Sequence, residues 1–396
     1  MTSAVPGDAG ANLSTTVPAV LVDRRHLVRI GLVLSLCALI VGSVQFARYD
    51  WTGLPLQRSA PNIDRTISPR CHEQIRPYVT SSGRTISPAA IDDQQYMSMI
   101  ERFRGADHVQ VECYYAPFTD RAAVPRLASL LPFDEALSLA LVNTAFLLAG
   151  VWLLIATLVA QGFGVRAVVA ASALAVINWV TFVFGTTLLI ESAPFAAVAL
   201  AWLLMSKRRW WWTAAVIVAG VLLKETVVLA LPPLWVAIAT DGDEPRGARR
   251  WAPAVVATLG AGVAYVGRAG FGPAPDAAWP TGVDLSLLSL NLAPTGLFVL
   301  AVALVPLLVP SALWLKRRVG EVGVVAAVWD PAVVGVLGGL ALLGWIMITA
   351  DLSPRFFWPC FPFAATLTAR WCSSGRPAQW LKRLPMPEWL IGPPTA

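Results

Sequence analysis

The sequence predicts an all-α polytopic transmembrane helical bundle of about ten spans, with a long first extracytoplasmic loop that contains short amphipathic helices. Three observations predict it. The chain is 56% hydrophobic and only 14% charged, whereas soluble domains carry about 25% charged residues. The apolar residues are gathered into many stretches separated by short polar joints. The basic residues fall on alternate joints, as cytoplasmic loops of membrane proteins require. The net charge of +6 therefore bears on orientation and not on nucleic acid.

Hydropathy places the spans at 27–46, 136–160, 167–189, 192–206, 210–223, 227–240, 251–268, 294–315, 332–349 and 357–370. A bilayer core of about 30 Å needs about 20 helical residues, so several are short. The pair 210–223 and 227–240 is the shortest and reads as two half-spans meeting at a buried break. Residues 1–26 form a small, polar, disordered cytoplasmic tail, and residues 27–370 form the transmembrane domain. Residues 47–131 are the extracytoplasmic loop, and residues 371–396 are a basic, Pro-rich cytoplasmic tail lying along the inner membrane surface. No small-x-small cleavage site follows the first span cleanly, so it is expected to remain as an anchor.

With the N-terminus inside, Arg24, Arg25, Arg29, Arg166, Lys207-Arg208-Arg209, Arg249, Arg250, Lys316-Arg317-Arg318 and Arg370 all fall inside. The short outer joints hold mainly Lys224, Arg268 and Arg355. The long first loop is rich in Arg, but loops of that length escape the rule. Cys71 and Cys113 both lie in this loop, where an oxidising compartment favours a disulfide. It would close about 43 residues, worth roughly 3–4 kcal/mol in the chain-entropy picture; two free thiols are the alternative.

Within the loop, Arg65-Thr66-Ile67-Ser68-Pro69 recurs as Arg84-Thr85-Ile86-Ser87-Pro88. Both copies read as helix starts, with Ser as N-cap and Pro at the first helical position. The second predicts a helix over 88–104, on which Tyr96, Met99, Ile100 and Phe103 form one apolar stripe. At about 100° per residue, Asp92 falls within about 30° of the stripe's centre and Asp93 about 70° away. An amphipathic helix resting on the membrane would turn Asp92 inward and leave Asp93 nearer water.

Asp92 reads as a general base at the outer membrane boundary, or as an acid favoured by the dipole in an early helical turn. Lys224-Glu225-Thr226 sits between two spans, where ionisable groups are costly and face a cavity or a partner. Lys224 could hold a lipid-linked phosphate; alternatively Lys224 and Glu225 satisfy one another at a helix break. Glu191, in Ile190-Glu191-Ser192-Ala193-Pro194, is a site carboxylate or a neighbour of an N-cap. Arg355, in Ser353-Pro354-Arg355-Phe356-Phe357, suits phosphate recognition or interfacial anchoring, and Arg268 is a weaker case of the same kind. Arg121, in Pro117-Phe118-Thr119-Asp120-Arg121, could reach the same site or be a flanking charge. There is no Walker A sequence, no GxGxxG opening a helix after a strand, and no His/Cys metal constellation. Nucleotide-driven pumping and nucleotide-sugar chemistry on a soluble domain are disfavoured.

Together these positions resemble a family. Asp92-x-Gln94-x-Tyr96, followed by Arg121-x-x-x-Pro125-x-Leu127-Ala128, is similar to the pattern of bacterial integral-membrane glycosyltransferases of the GT-C superfamily. Leu222-Leu223-Lys224-Glu225-Thr226 with Leu231-Pro232, and Arg355 before Pro359 and Pro362, also fit. The resemblance spans most of residues 85–370 through short motifs. It implies transfer of a sugar from a polyprenyl-phosphate donor to an extracytoplasmic glycan or lipid acceptor, in the bacterial cytoplasmic membrane. Carried over, the acidic pair Asp92 and Asp93 supplies the base, with Asp92 in that role, and Lys224, Arg355 and Arg121 face the donor phosphate. Glu191, Glu225, Tyr96 and Gln94 are further site candidates. No cofactor is implied, and a divalent cation near Asp92 is not indicated. The sequence departs from the pattern in its longer first loop and in Glu191, where Asp is more usual. A transporter or flippase using the same buried charges for an anionic lipid-linked substrate, and a non-catalytic membrane scaffold, are the competing readings.

Overall fold

A computed structural model describes residues 24–50, 66–68, 71–72, 77–86, 91–106, 110–111, 113–178, 180–181, 185, 188–242, 247–278, 282–350 and 353–383. Helices dominate these residues. After α1 (Arg24–Asp50), the first loop contributes β1 (Thr66–Ser68), β2 (Cys71–His72), β3 (Tyr78–Val79), β4 (Thr85–Ile86), α2 (Ile91–Phe103), β5 (Tyr115–Ala116) and α3 (Ala123–Ser129). The apolar body follows: α4 (Glu135–Ala160), α5 (Val165–Val176), α6 (Ser192–Ser206), α7 (Trp210–Leu223), a 3-10 turn Glu225–Ala230 running into α8 (Leu231–Thr240), and α9 (Ala252–Gly267). Beyond β6 (Ala277–Ala278) come α10 (Leu285–Asn291), α11 (Pro294–Val322), α12 (Val324–Val328), α13 (Pro331–Ile346), α14 (Phe361–Cys372) and α15 (Gly375–Arg383).

Among the described residues, three helical stretches are long and apolar enough to cross a membrane: Glu135–Ala160, Ala248–Gly270 and Gly296–Val322. The other apolar segments of the body form shorter helices, among them α5, α6, α7 and α13. Within the stretch expected as one span over 167–189, α5 ends at Val176 and helix resumes at Val180. Asn178 is the local cause. Its Oδ1 accepts the Val180 N–H at 2.9 Å and its amide donates to the Ala303 carbonyl at 2.7 Å. An Asn that bonds the backbone in this way competes with the helix ladder and ends it.

The body is packed through small residues. Helix α4 lies on α6, α6 on α7, α7 on α9, and α14 on α5, α11 and α13. At the α4–α6 contact, a Cβ on Gly150 would stand 2.5 Å from the Phe195 ring. Glycine there lets the helices approach as small residues do in membrane bundles. The Phe195 ring in turn stacks on Trp358 at a centroid separation of 5.1 Å.

The first loop is folded onto one end of this body. Asp134 caps α4, accepting the Leu137 N–H at 2.8 Å, and also takes Arg84 at 3.2 Å and the Ser82 hydroxyl at 3.0 Å. The β3–β4 hairpin, which turns at Gly83 with φ +80°, is thereby held at a helix N-terminus where acids are favoured. Arg104, just past α2, pairs with Glu135 at 3.1 Å and donates to the Leu131 carbonyl at 2.8 Å. On the far side β5 pairs in parallel with β6, flanked by a Tyr114 N–H to Asp276 carboxylate bond of 2.8 Å. Loop 1 is thus clasped by the segment that follows α9.

Two expectations for this loop are corrected. The repeated Arg-Thr-Ile-Ser-Pro copies are not both helix starts: Thr66–Ser68 pairs with Cys71–His72, and Thr85–Ile86 pairs with Tyr78–Val79. The β-branched Thr-Ile pair suits a strand, and only the second copy is followed by a helix, from Ile91. Nor does α2 rest on a membrane with one wet face. Residues 92–101 are buried all round, because α3 and α4 pack on the helix while the 110–115 segment covers its polar side. Gln95 donates to the Cys113 carbonyl at 2.8 Å and accepts the Tyr115 N–H at 3.2 Å, and the Tyr114 hydroxyl donates to the Ser98 carbonyl. Asp93 is therefore not the wetter acid: it is 0% exposed, against 6% for Asp92.

The described free thiols are Cys37, Cys360 and Cys372. The side chain of Cys71 lies outside the described residues, and with it the expected bridge to Cys113. Residues 1–23 and 384–396, most of the two tails expected at 1–26 and 371–396, also lie outside them.

Candidate functional site: a buried ion-pair cluster under the first loop

The charges singled out in the sequence meet at one place. Asp92 and Tyr96 are four residues apart on α2, so they share a face. From that face Asp92 Oδ2 meets Arg355 Nη2 at 3.2 Å. Arg355 stands in the 3-10 turn Pro354–Phe356 just before α14, and its Nε lies 3.7 Å from Glu191 Oε1. Glu191 in turn is bonded to the Lys224 ammonium. Asp92, Arg355, Glu191 and Lys224 form an unbroken alternation of charge drawn from four separate segments.

Glu191 is the residue before α6, but its side chain does not cap that helix. It faces Lys224 instead, and the two side chains are 2% and 1% exposed. Ions this dry persist only when paired at close range. Lys224 and Glu225 do not satisfy one another, as one reading of the sequence had it. Lys224 has extended backbone, φ −163° and ψ 141°, between α7 and the Glu225–Ala230 turn. Extended geometry sends successive side chains to opposite sides, so Lys224 reaches Glu191 while Glu225 points the other way.

Glu225 is gripped by two guanidinium groups. Arg121 binds it in a bidentate fork, with Nε to Oε2 at 3.1 Å and Nη2 to Oε1. Arg268 donates to Oε2 from the other side. Such forks are the stronger class of charge-assisted bond. They tie the turn Thr119–Arg121 of the first loop to the break between α7 and α8 and to the end of α9. Gly272 keeps this junction tight, since a Cβ there would lie 2.0 Å from the Thr119 carbonyl.

Tyr96 joins the two halves. It is 1% exposed, and burial raises its phenol well above the ordinary value while the neighbouring Arg121 opposes the shift. Its ring meets Phe118 edge-on at 6.4 Å, and Arg121 lies over the same Phe118 ring at 5.7 Å. Phe356 roofs the cations: its centroid is 5.1 Å from the Arg355 guanidinium carbon and 5.9 Å from Lys224 Nζ. A ring face at this distance attracts a cation without neutralising it.

Asp92, Glu191, Lys224, Arg121, Glu225, Tyr96 and Arg355 are thus brought together. Asp93 and Gln94 are buried beside them on α2. Two participants were undervalued in the sequence. Arg268 is 2% exposed and completes the grip on Glu225; a basic residue in an otherwise base-poor outer joint was its one sequence signal. Phe356 had only its place next to Arg355. Among the described residues, no group of three or more His, Cys, Asp or Glu is placed to hold a metal ion.

In these ion pairs Lys224, Arg355, Arg121 and Arg268 share the carboxylates of Asp92, Glu191 and Glu225. An anion entering among these cations must displace a carboxylate from one of them. Arg355 is the most yielding member, since its link to Asp92 is a single contact and its Nε has no hydrogen-bond partner. Comparison with protein families, with curated proteins and with solved structures finds no match for this chain.

Proposed function

We propose that the chain is an integral-membrane glycosyltransferase of the GT-C kind that its motifs resemble. It would move a sugar from a polyprenyl-phosphate donor to an acceptor hydroxyl on the outer face of the membrane. The observation that supports this reading is the convergence of Asp92, Glu191, Lys224 and Arg355, with Tyr96, Arg121 and Glu225 alongside. The proposal includes about ten membrane crossings with both termini cytoplasmic, the first loop outside, and a Cys71–Cys113 bridge within that loop.

In the proposed step the acceptor oxygen attacks the anomeric carbon as the carbon–oxygen bond to the lipid phosphate breaks. Asp92 takes the acceptor's proton, and the electron pair leaves on the phosphate. That leaving group is already a stable anion, so no general acid is needed. Arg355 and Lys224 would hold it, with Arg121 behind them, and positioned charge in a dry site supplies most of the rate. Because Arg355 grips Asp92 in the closed cluster, its transfer to the donor phosphate would free the base as the donor binds. Glu225 and Arg268 serve to fix Arg121.

The test is transfer from a polyprenyl-phosphate sugar by purified chain in detergent, comparing Asp92→Asn with Asp93→Asn. A positioned general base contributes about 10²–10⁴-fold, so Asp92→Asn should lose at least about a hundredfold in kcat. Asp93→Asn should lose far less. Full activity of a folded Asp92→Asn protein would remove the assignment.

A further inference from the structure

Helices α6, α7 and α14 each have one end at the ion-pair cluster, next to Glu191, Lys224 and Arg355. Their other ends meet again about 20 Å away, the length of 12 to 15 helical residues. A second site lies there. It is a cavity of about 250 Å³ whose polar wall is formed by Gln161, Ser206, Arg208, Asp241 and Arg370, with Trp210 on the apolar side. None of the cluster residues lines it.

Two observations mark it as built for a ligand. Arg208, whose φ of 55° closes the C-terminus of α6, lines the cavity and meets Asp241 at 3.4 Å. Arg370 also lines the cavity, paired with Asp330 at 2.6 Å. A guanidinium carries five N–H donors in a planar fork and can serve a carboxylate and a second anion together. Finally, Trp210 Nε1 and Gln161 Oε1 are buried without hydrogen-bond partners, a donor and an acceptor on residues that line the cavity. Burying such groups unpaired costs about 1–3 kcal/mol each.

The surroundings indicate the ligand class. Lys207 and Arg209 flank Arg208 and are exposed, so among the described residues the rim carries more positive charge than Asp241 and Asp330 balance. Next to it Trp211 and Trp212 are 59% and 68% exposed, the placement of aromatic side chains at a membrane–water boundary. We infer that this cavity binds an anionic phosphate ester, carried on a membrane-lipid headgroup or free in solution, with Arg208 and Arg370 as its clamp. Basic pockets between helices at the membrane surface recognise such headgroups. The site is independent of the proposed transfer reaction.

The experiment measures thermal unfolding of the purified full chain in neutral detergent, titrated with phosphatidylglycerol, phosphatidylcholine or inorganic phosphate. A ligand that binds only the folded state raises the midpoint as its concentration passes Kd. Saturable stabilisation by phosphatidylglycerol but not phosphatidylcholine assigns the lipid source; stabilisation by inorganic phosphate alone assigns the soluble one. In either case Arg208→Gln and Arg370→Gln should weaken the apparent affinity at least tenfold. Ala237→Phe, which fills the cavity and removes no charge, should do the same if an arginine variant fails to fold. Equal stabilisation by phosphatidylcholine, or no effect from any of the three, overturns the inference. So does an equal loss of affinity in Lys316→Gln, an exposed lysine on α11 outside the cavity.

Discussion

Glu191→Gln tests whether the cluster is as dry as its geometry requires. The Glu191 and Lys224 side chains are 2% and 1% exposed, and Arg355 Nε lies 3.7 Å from the same carboxylate oxygen. Replacing the carboxylate by an amide leaves the lysine ammonium buried with no counter-ion in contact. Removing one partner of a buried pair costs about 3–5 kcal/mol, whereas an exposed pair is worth about 0–1 kcal/mol. Partial compensation by the Phe356 face, at 5.9 Å from Lys224 Nζ, is about 0.5–2 kcal/mol for a desolvated cation and does not close the gap. Adding Lys224→Met removes the stranded charge, so the double variant should recover most of the loss. Equilibrium unfolding in mixed micelles measures each species, and the double-mutant cycle gives the coupling. A single-variant cost below about 1 kcal/mol, or a double variant as unstable as the single, would refute the reasoning from burial.

Further expectations follow from other parts of the structure. Glu225→Gln releases Arg121 and Arg268 together; with the Glu225 side chain 25% exposed, its cost should be about 2–3 kcal/mol, below that of Glu191→Gln, read by the same unfolding assay. Gly150→Ala should destabilise by about 1–3 kcal/mol, since the added carbon would meet a Phe195 ring already stacked on Trp358. Gly262→Ala, with nothing within 4 Å of the new carbon, should be neutral or stabilising as a helical substitution. Glu101 on α2 has its carboxyl raised above the usual range, first by burial and then by Glu135, opposed by Tyr78, Gln110 and Arg104. A folded value above the unfolded one gives stability that is complete below the unfolded value and declines as pH rises through the folded value. Unfolding midpoints should therefore fall between acidic and neutral pH, and the fall should shrink in Glu101→Gln; an unchanged profile would show that Glu101 is not responsible.

Much of the helical body was legible because its signals are local. Apolar runs gave helices over 135–160, 192–206 and 210–223 within a residue or so, and the Lys224 break separated α7 from α8 where the sequence placed it. Helical phase put Asp92 and Tyr96 on one face of α2, and Asp92 meets Arg355. It failed for Asp93, because phase describes one helix and says nothing of what covers its other face. The first Arg-Thr-Ile-Ser-Pro copy failed for a related reason: strand pairing of Thr66–Ser68 with Cys71–His72 took the place of a helix start, whereas the second is followed by α2.

Composition and periodicity determined a mostly helical chain with apolar stretches, because both act over a few residues of contiguous sequence. The sequence also marked Lys224 and Glu225 as charges too costly to bury alone, and Asp92, Glu191 and Arg355 as site candidates. Only the tertiary structure decided who pairs with whom. Glu191 reaches Lys224 across 33 positions and Arg121 reaches Glu225 across 104. Adjacent Lys224 and Glu225 part company because the extended backbone between the helices points them to opposite sides. A charge in a dry interior takes the nearest counter-ion in space, and helix packing sets that distance where sequence order does not.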